Sequence, residues 1–154
     1  MPVIEAGRPV PEFSLRTYAG RPFTRASLEG RTTVLVFYPY AFSPVCTDQL
    51  SVYEEVLDDF RARGVTLYGV SCDAVWSQEA FKQQLGLTIE QLSDFEPKGA
   101  VARAFGVYHP DGHPRRALVL IGPDAVVRWS HEAPAAEVPG ANLIFDALDA
   151  AAVR

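Results

Sequence analysis

Apolar and polar positions along the chain change period in a regular order, from alternation to unbroken apolar runs to helical spacing and back. Residues 13–18, Phe-Ser-Leu-Arg-Thr-Tyr, alternate in polarity, and Ala19-Gly20-Arg21 turns the chain into Pro22-Phe23-Thr24, which predicts a small antiparallel hairpin. Val34-Leu35-Val36-Phe37-Tyr38 is continuous, β-branched and aromatic. It predicts a strand covered on both faces, beginning at Thr33 and stopped by Pro39. A helix over about 44–63 follows, where Leu50, Tyr53, Val56, Leu57 and Phe60 recur at helical spacing and Gly64 provides the stop. Val65 to Ser71 reads as the next strand, and a strand, crossover helix and second strand of this kind form a right-handed parallel unit. Helices over 77–85 and 99–105, strands over 116–121 and 126–130 joined by the turn Gly122-Pro123-Asp124-Ala125, and an alanine-rich helix over 141–152 complete the series. The fold class is α/β, in one domain over residues 1–154 with no internal repeat and no linker.

Composition narrows the class. The chain has 154 residues, a net charge of −5 and 48% hydrophobic residues, enough for one compact core. No run of about 18 uncharged apolar residues is present, and Met1-Pro2-Val3-Ile4-Glu5-Ala6-Gly7 lacks the basic and apolar regions of a signal peptide, so a cytoplasmic location is expected. Fourteen basic residues are scattered among nineteen acidic ones without a Lys/Arg block, which argues against nucleic acid or an anionic membrane as partner. Two cysteines in a chain of this kind point to redox chemistry before a structural disulfide framework.

Cys46 carries that chemistry. In Pro39-Tyr40-Ala41-Phe42-Ser43-Pro44-Val45-Cys46, Ser43 is a good N-cap and Pro44 suits the first helical position, where its missing N–H costs nothing. Cys46 then falls at the third helical position, close to backbone N–H groups and the positive end of the helix dipole, which favour the thiolate over the thiol. The thiolate is the nucleophilic form.

The pattern Pro-x-x-x-Ser-x-x-Cys after a strand ending Phe-Tyr-Pro resembles the peroxidatic motif of the peroxiredoxins, thiol peroxidases on a thioredoxin-like fold. Leu92-Ser93-Asp94-Phe95 with Gly99-Ala100-Val101-Ala102-Arg103-Ala104-Phe105-Gly106-Val107-Tyr108 resembles the family's central segment, and Arg115-Arg116-Ala117-Leu118-Val119-Leu120-Ile121 its arginine-bearing strand. The resemblance spans roughly residues 3 to 150, and its wording is most like the alkyl hydroperoxide reductase E group. It implies a central mixed β-sheet flanked by helices with an N-terminal β-hairpin, and a reaction that needs no metal, haem or flavin.

It also implies roles. Cys46 is the nucleophile that attacks an O–O bond and becomes a sulfenic acid; Ser43 bonds a peroxide oxygen; Arg116 is the fixed cation, with Arg115 the competing choice; Pro39 shields the thiolate. Two positions depart from the family pattern. Serine stands at 43 where many members have threonine, and Gln49 stands where many have a glutamate that helps to hold the arginine. Gln49 can still accept a hydrogen bond but brings no charge, while Asp48 beside it would oppose the thiolate if it pointed inward.

Cys72 follows the strand over 65–71, so both cysteines are expected at the carboxyl edge of the sheet. A Cys46–Cys72 disulfide would make Cys72 the resolving thiol; otherwise an external reductant (a low-molecular-weight thiol, a thioredoxin or a glutaredoxin-like protein) reduces the sulfenic acid. His109, His113 and His131 lie in turn-rich or edge contexts and show no metal-ligand spacing. A thiol-disulfide oxidoreductase is disfavoured because Cys46-Thr47-Asp48-Gln49 lacks the second cysteine of a Cys-x-x-Cys pair. The rival from another class is a non-catalytic thioredoxin-like module acting as a redox sensor or chaperone. Tyr40, Phe42, Trp76 and Phe95, together with the family's habit, point to a homodimer.

Overall fold

The computed structural model describes residues 2–152. The strands in chain order are β1 (Ser14–Arg16), β2 (Pro22–Thr24), β3 (Thr32–Phe37), β4 (Val65–Ser71), β5 (Glu90–Ser93), β6 (Tyr108–His109), β7 (His113–Pro114), β8 (Ala117–Ile121) and β9 (Val127–Glu132). The helices are α1 (Pro44–Glu55), α2 (Leu57–Ala62), α3 (Val75–Leu85), α4 (Ala100–Ala104) and α5 (Ala141–Ala152), with a 3₁₀ turn over Arg25–Leu28. Seven strands form one mixed sheet in the order β2-β1-β5-β4-β3-β8-β9, and β6 and β7 pair separately. The central apolar run is β3, parallel to β4 with Val36 opposite Gly69 and antiparallel to β8 with Phe37 opposite Ala117.

Because β3 is covered on both sides, its residues divide between two cores. Val34, Val36 and Tyr38 pack with Leu50, Phe60, Phe81 and Ile144 beneath α1, α2, α3 and α5. Leu35 and Phe37 pack with Leu15, Leu92, Val101 and Phe105 on the face closed by α4 and the β1–β2 hairpin. Each fully buried Leu or Phe contributes ~1.5–3 kcal/mol, so the sheet is clamped from both sides and its carboxyl edge is a rigid platform. No helix among the described residues is long and apolar enough to cross a membrane.

Three features differ from the sequence reading. The helix expected over 44–63 is two helices, because the chain leaves helical geometry at Val56 (φ −111°, ψ 15°). Apolar spacing runs through the break unchanged, since Leu57 and Phe60 still face the sheet. The Glu54 carboxylate beside it accepts from the Thr88 N–H at 2.8 Å and the Ile89 N–H at 3.1 Å, tying the end of α1 to the loop before β5. Strand β5 itself is hidden in the sequence by its buried polar residues Gln91 and Ser93. Gln91 is accommodated because Gly69 lies beneath it: a Cβ there would collide with the Gln91 amide, which accepts the Tyr38 hydroxyl at 2.6 Å. The turn-rich segment that holds two of the histidines is the β6–β7 hairpin, for which no strands were expected, with His109 opposite His113.

Candidate active site

The β3–α1 loop sets the thiol. Ser43 holds extended geometry (φ −67°, ψ 147°), Pro44 is the first helical residue, and the first turn closes where the Thr47 N–H donates to the Ser43 carbonyl at 2.9 Å. Cys46 therefore occupies the third helical position, as expected, and is fully buried. Ser43 sits at the cap position, yet its hydroxyl does not cap the helix. It turns back to donate to the Tyr40 carbonyl at 3.0 Å, which corrects the capping role and leaves the hydroxyl lone pairs free to accept. Pro39 is buried between the end of β3 and Tyr40. Phe42 holds a left-handed conformation (φ 70°), a strained backbone for an aromatic residue, and its ring packs edge-on against Phe81 at 5.3 Å. The loop is tied down once more where the Ala41 N–H donates to the Asp73 carboxylate at 2.8 Å.

Arg116, immediately before β8, reaches across β3 to the thiol. It is 2% exposed, and its Nη2 lies 3.4 Å from Cys46 Sγ. Each of its nitrogens is engaged: Nη1 donates to Gln49 Oε1 at 2.5 Å, and Nε and Nη2 donate to the Ala135 carbonyl at 3.1 and 2.9 Å. Gln49 Nε2 in turn donates to the Tyr53 hydroxyl at 3.1 Å, which donates to the Pro139 carbonyl at 2.6 Å. Burial pushes the Tyr53 phenol up to about 12, against the opposing Gln49 hydrogen bond and Arg116 charge, so it stays a donor at neutral pH. The guanidinium is thus locked in a plane with one N–H edge aimed at sulfur, the arrangement that stabilises S⁻ and a developing negative charge beside it. Arg115, the competing cation, points elsewhere and pairs with Glu132 at 3.9 Å. Asp48 is exposed and does not face the thiol.

The sequence gives no warning of Tyr53, Ala135 or Pro139. The latter two act through backbone carbonyls, which any residue supplies, and Tyr53 is indistinguishable from a core aromatic until Gln49 is seen one turn before it.

Cys72 lies elsewhere. On β4, Val65 and Leu67 face α1, and the Ser71 hydroxyl accepts from Gln78 of α3 on that side, while Tyr68 and Val70 face the other core. The alternation carries Cys72 to the α4 side, where its charged neighbours are Asp94, Lys98, Asp73 and Arg103. Burial, and next the Asp94 carboxylate, push this thiol up to about 12. Both thiols are free.

Two of the three histidines come together with an acidic residue in a second cluster. The β6–β7 hairpin brings one donor atom each from His109, Asp111 and His113 within 4.8 Å of one another, although their spacing follows no metal motif. His131 is outside it, its ring stacked on Trp129 at 5.9 Å.

Known proteins share this architecture. The chain is similar to the solved structure of Enterococcus faecalis AhpC, with a TM-score of 0.88 and 22% identity over 99% of this chain and 94% of that one, which shows the thioredoxin-like α/β fold. A Mycobacterium tuberculosis structure, peroxidoxin BcpB, matches at a TM-score of 0.82 and 26% identity over 98% of this chain and 99% of that one. In sequence, peroxiredoxin 2 of Thermoplasma acidophilum is 33% identical over 136 residues, 84% of this chain and 67% of that relative. Alkyl hydroperoxide reductase E of Mycobacterium tuberculosis is 28% identical over 150 residues, 96% of this chain and 98% of that one. The model of the AhpC/TSA family matches residues 6–130, and with a buried helix-start cysteine under a locked arginine the chain belongs to that family, the peroxiredoxins.

Proposed function

We propose that this chain is a thiol-dependent peroxidase that reduces hydrogen peroxide and organic hydroperoxides, with Cys46 as its nucleophile. The observation that carries the reading is the Arg116 guanidinium held 3.4 Å from Cys46 Sγ by Gln49 and Ala135. The Cys46 thiolate attacks the terminal oxygen of the hydroperoxide in line with the O–O bond. An S–O bond forms, the O–O bond breaks, and the leaving alkoxide or hydroxide takes a proton to depart as alcohol or water, leaving a sulfenic acid on Cys46. Arg116 supplies the fixed positive charge toward both sulfur and the leaving oxygen, and Ser43 accepts a hydrogen bond from the hydroperoxide O–H while still bonded to Tyr40. Pro39 keeps bulk water from the thiolate.

The oxidised cysteine is returned by an external donor: one thiol displaces water from the sulfenic acid to form a mixed disulfide, and a second thiol releases Cys46. A low-molecular-weight thiol, thioredoxin or glutaredoxin-like protein fits this role, and the protein acts in the cytoplasm, where such donors are kept reduced. Tyr40, Phe42, Trp76 and Phe95 are exposed at 44%, 47%, 74% and 44%, all near the carboxyl ends of β3, β4 and β5, and they support a homodimer through this face.

Stopped-flow intrinsic fluorescence of the reduced chain mixed with hydrogen peroxide tests the reading. Rapid oxidation in wild type that is lost in Cys46→Ser is the expected result. Oxidation no faster than a free thiol would sink the peroxidase and leave a non-catalytic redox module as the better account.

A further inference from the structure

We propose that His109, Asp111 and His113 form a binding site for a late first-row divalent cation, with zinc as the reference ion, on the β6–β7 hairpin beside the catalytic loop. One donor atom from each residue lies within 4.8 Å of the other two. The separation of His109 Nδ1 and Asp111 Oδ2, 3.7 Å, matches two bonds of about 2.0–2.2 Å meeting at one ion. Two imidazoles and one carboxylate suit the borderline ions that favour imidazole, and leave further positions for water.

Hydrogen bonding on the hairpin sets the state of each ring nitrogen. His113 Nδ1 lies 2.7 Å from the Pro114 carbonyl, which can only accept, so Nδ1 carries the proton and Nε2 has its lone pair free. His109 Nδ1 accepts the Asp111 N–H at 3.0 Å, so Nδ1 is the unprotonated nitrogen of that ring, and an ion at Nδ1 would displace this hydrogen bond. Backbone pairing fixes the two imidazoles opposite each other, as His109 and His113 are register partners with rings stacked at 4.6 Å and 8° between planes. Closing on an ion requires the Asp111 N–H to release His109 Nδ1 and the rings to tilt toward each other about their soft terminal torsions. The β6–β7 pair lies outside the main sheet and has only two residues in each strand, and a cation bridging its strands and turn would staple it. The His113 ring also packs against Tyr40 at 5.1 Å, so the ion would sit next to the loop leading to Cys46 while taking no ligand from the thiol.

The test is calorimetric titration of the full reduced chain with zinc chloride, repeated on the Cys46→Ser/Cys72→Ser double variant so that thiolates cannot supply the site. One equivalent of zinc bound by both is expected. Affinity should fall in His109→Phe, which keeps a ring to stack on His113, and in Asp111→Asn, which keeps the turn, by at least the ~10–100-fold that loss of an outer-shell partner costs. Circular dichroism and the peroxide oxidation rate, unchanged in both variants, show that the fold persists. Cobalt(II) in place of zinc should give only the weak visible bands of nitrogen and oxygen ligation. No zinc binding by wild type, undiminished binding in His109→Phe and Asp111→Asn, or a strong sulfur-to-cobalt absorption would each overturn the proposal.

Discussion

Gln49 accepts the Arg116 guanidinium through Oε1 at 2.5 Å while its Nε2 donates to the Tyr53 hydroxyl at 3.1 Å, so one neutral amide joins the active-site cation to the backbone of the loop after β9. A carboxylate could not do both. With glutamate here, Tyr53 would have to turn its single proton to the side chain and abandon the Pro139 carbonyl. Removing the amide should therefore release the arginine. Gln49→Leu deletes a charge-assisted hydrogen bond of ~1.5–3 kcal/mol, which corresponds to roughly a 10–100-fold slower oxidation of Cys46 if all of it is felt in the transition state. Stopped-flow rates for Gln49→Leu within twofold of wild type would show that Ala135 alone positions the arginine.

Arg116 serves the thiol with one N–H edge while two other edges hold Gln49 and Ala135, a division that a planar fork permits and a single ammonium does not. Arg116→Lys keeps the charge but must give up at least one of the three partners. Loss of one aimed donor in a buried site costs on the order of 10²–10³ in rate, and that range is expected for peroxide oxidation of the lysine variant. If the lysine variant matched wild type, charge alone would suffice and the fixed geometry would be irrelevant.

How far the sequence spoke for the fold depends on what each residue faces. The run 34–38 announces β3 because every residue is apolar, but that same uniformity conceals which residues face which core. Without a polar alternation on β4, the side occupied by Cys72 could not be read, and adjacency of strands alone did not say on which face of the sheet each thiol lies. Ser43, Pro44 and Cys46 were legible because turn and helix-start chemistry is local. The partners of Arg116 were legible only in part: Gln49 lies three residues from Cys46, whereas the carbonyls of Ala135 and Pro139 are distant in sequence and carry no residue signature.

Gly99 is required by both conformation and space. It starts α4 at φ 70°, and a Cβ there would collide with the Tyr108 ring, over which the Arg103 guanidinium lies at 4.0 Å. Gly99→Ala meets an αL penalty of about 1–3 kcal/mol together with overpacking of similar size. A lowered urea midpoint is expected, with Tyr108 and the β6–β7 hairpin displaced. A loss below ~0.5 kcal/mol, the range of an ordinary surface change, would mean that the ring moves aside freely.

Cys72 should prove a bystander to the chemistry and a source of stability loss at alkaline pH. Its thiol lies on the α4 side of the sheet and, pushed up to about 12 by burial, stays protonated and weakly nucleophilic at neutral pH. Cys72→Ser should oxidise at the wild-type rate, and oxidised wild type should show no mass two hydrogens lighter than the reduced chain. A disulfide-mass product lost in Cys72→Ser would instead make it the resolving thiol. The sign of the stability effect follows from linkage. The folded value, about 12, exceeds the unfolded value of about 8.5, so the folded chain holds the proton more tightly. This contribution is complete below the unfolded value and is lost as pH rises through the interval toward the folded one. On a Cys46→Ser background, which removes the other thiol, urea midpoints between about pH 8 and 11 should fall more steeply with Cys72 present than in Cys72→Ser. Parallel curves would show that the Cys72 thiol titrates alike in both states and that its burial exerts no electrostatic effect.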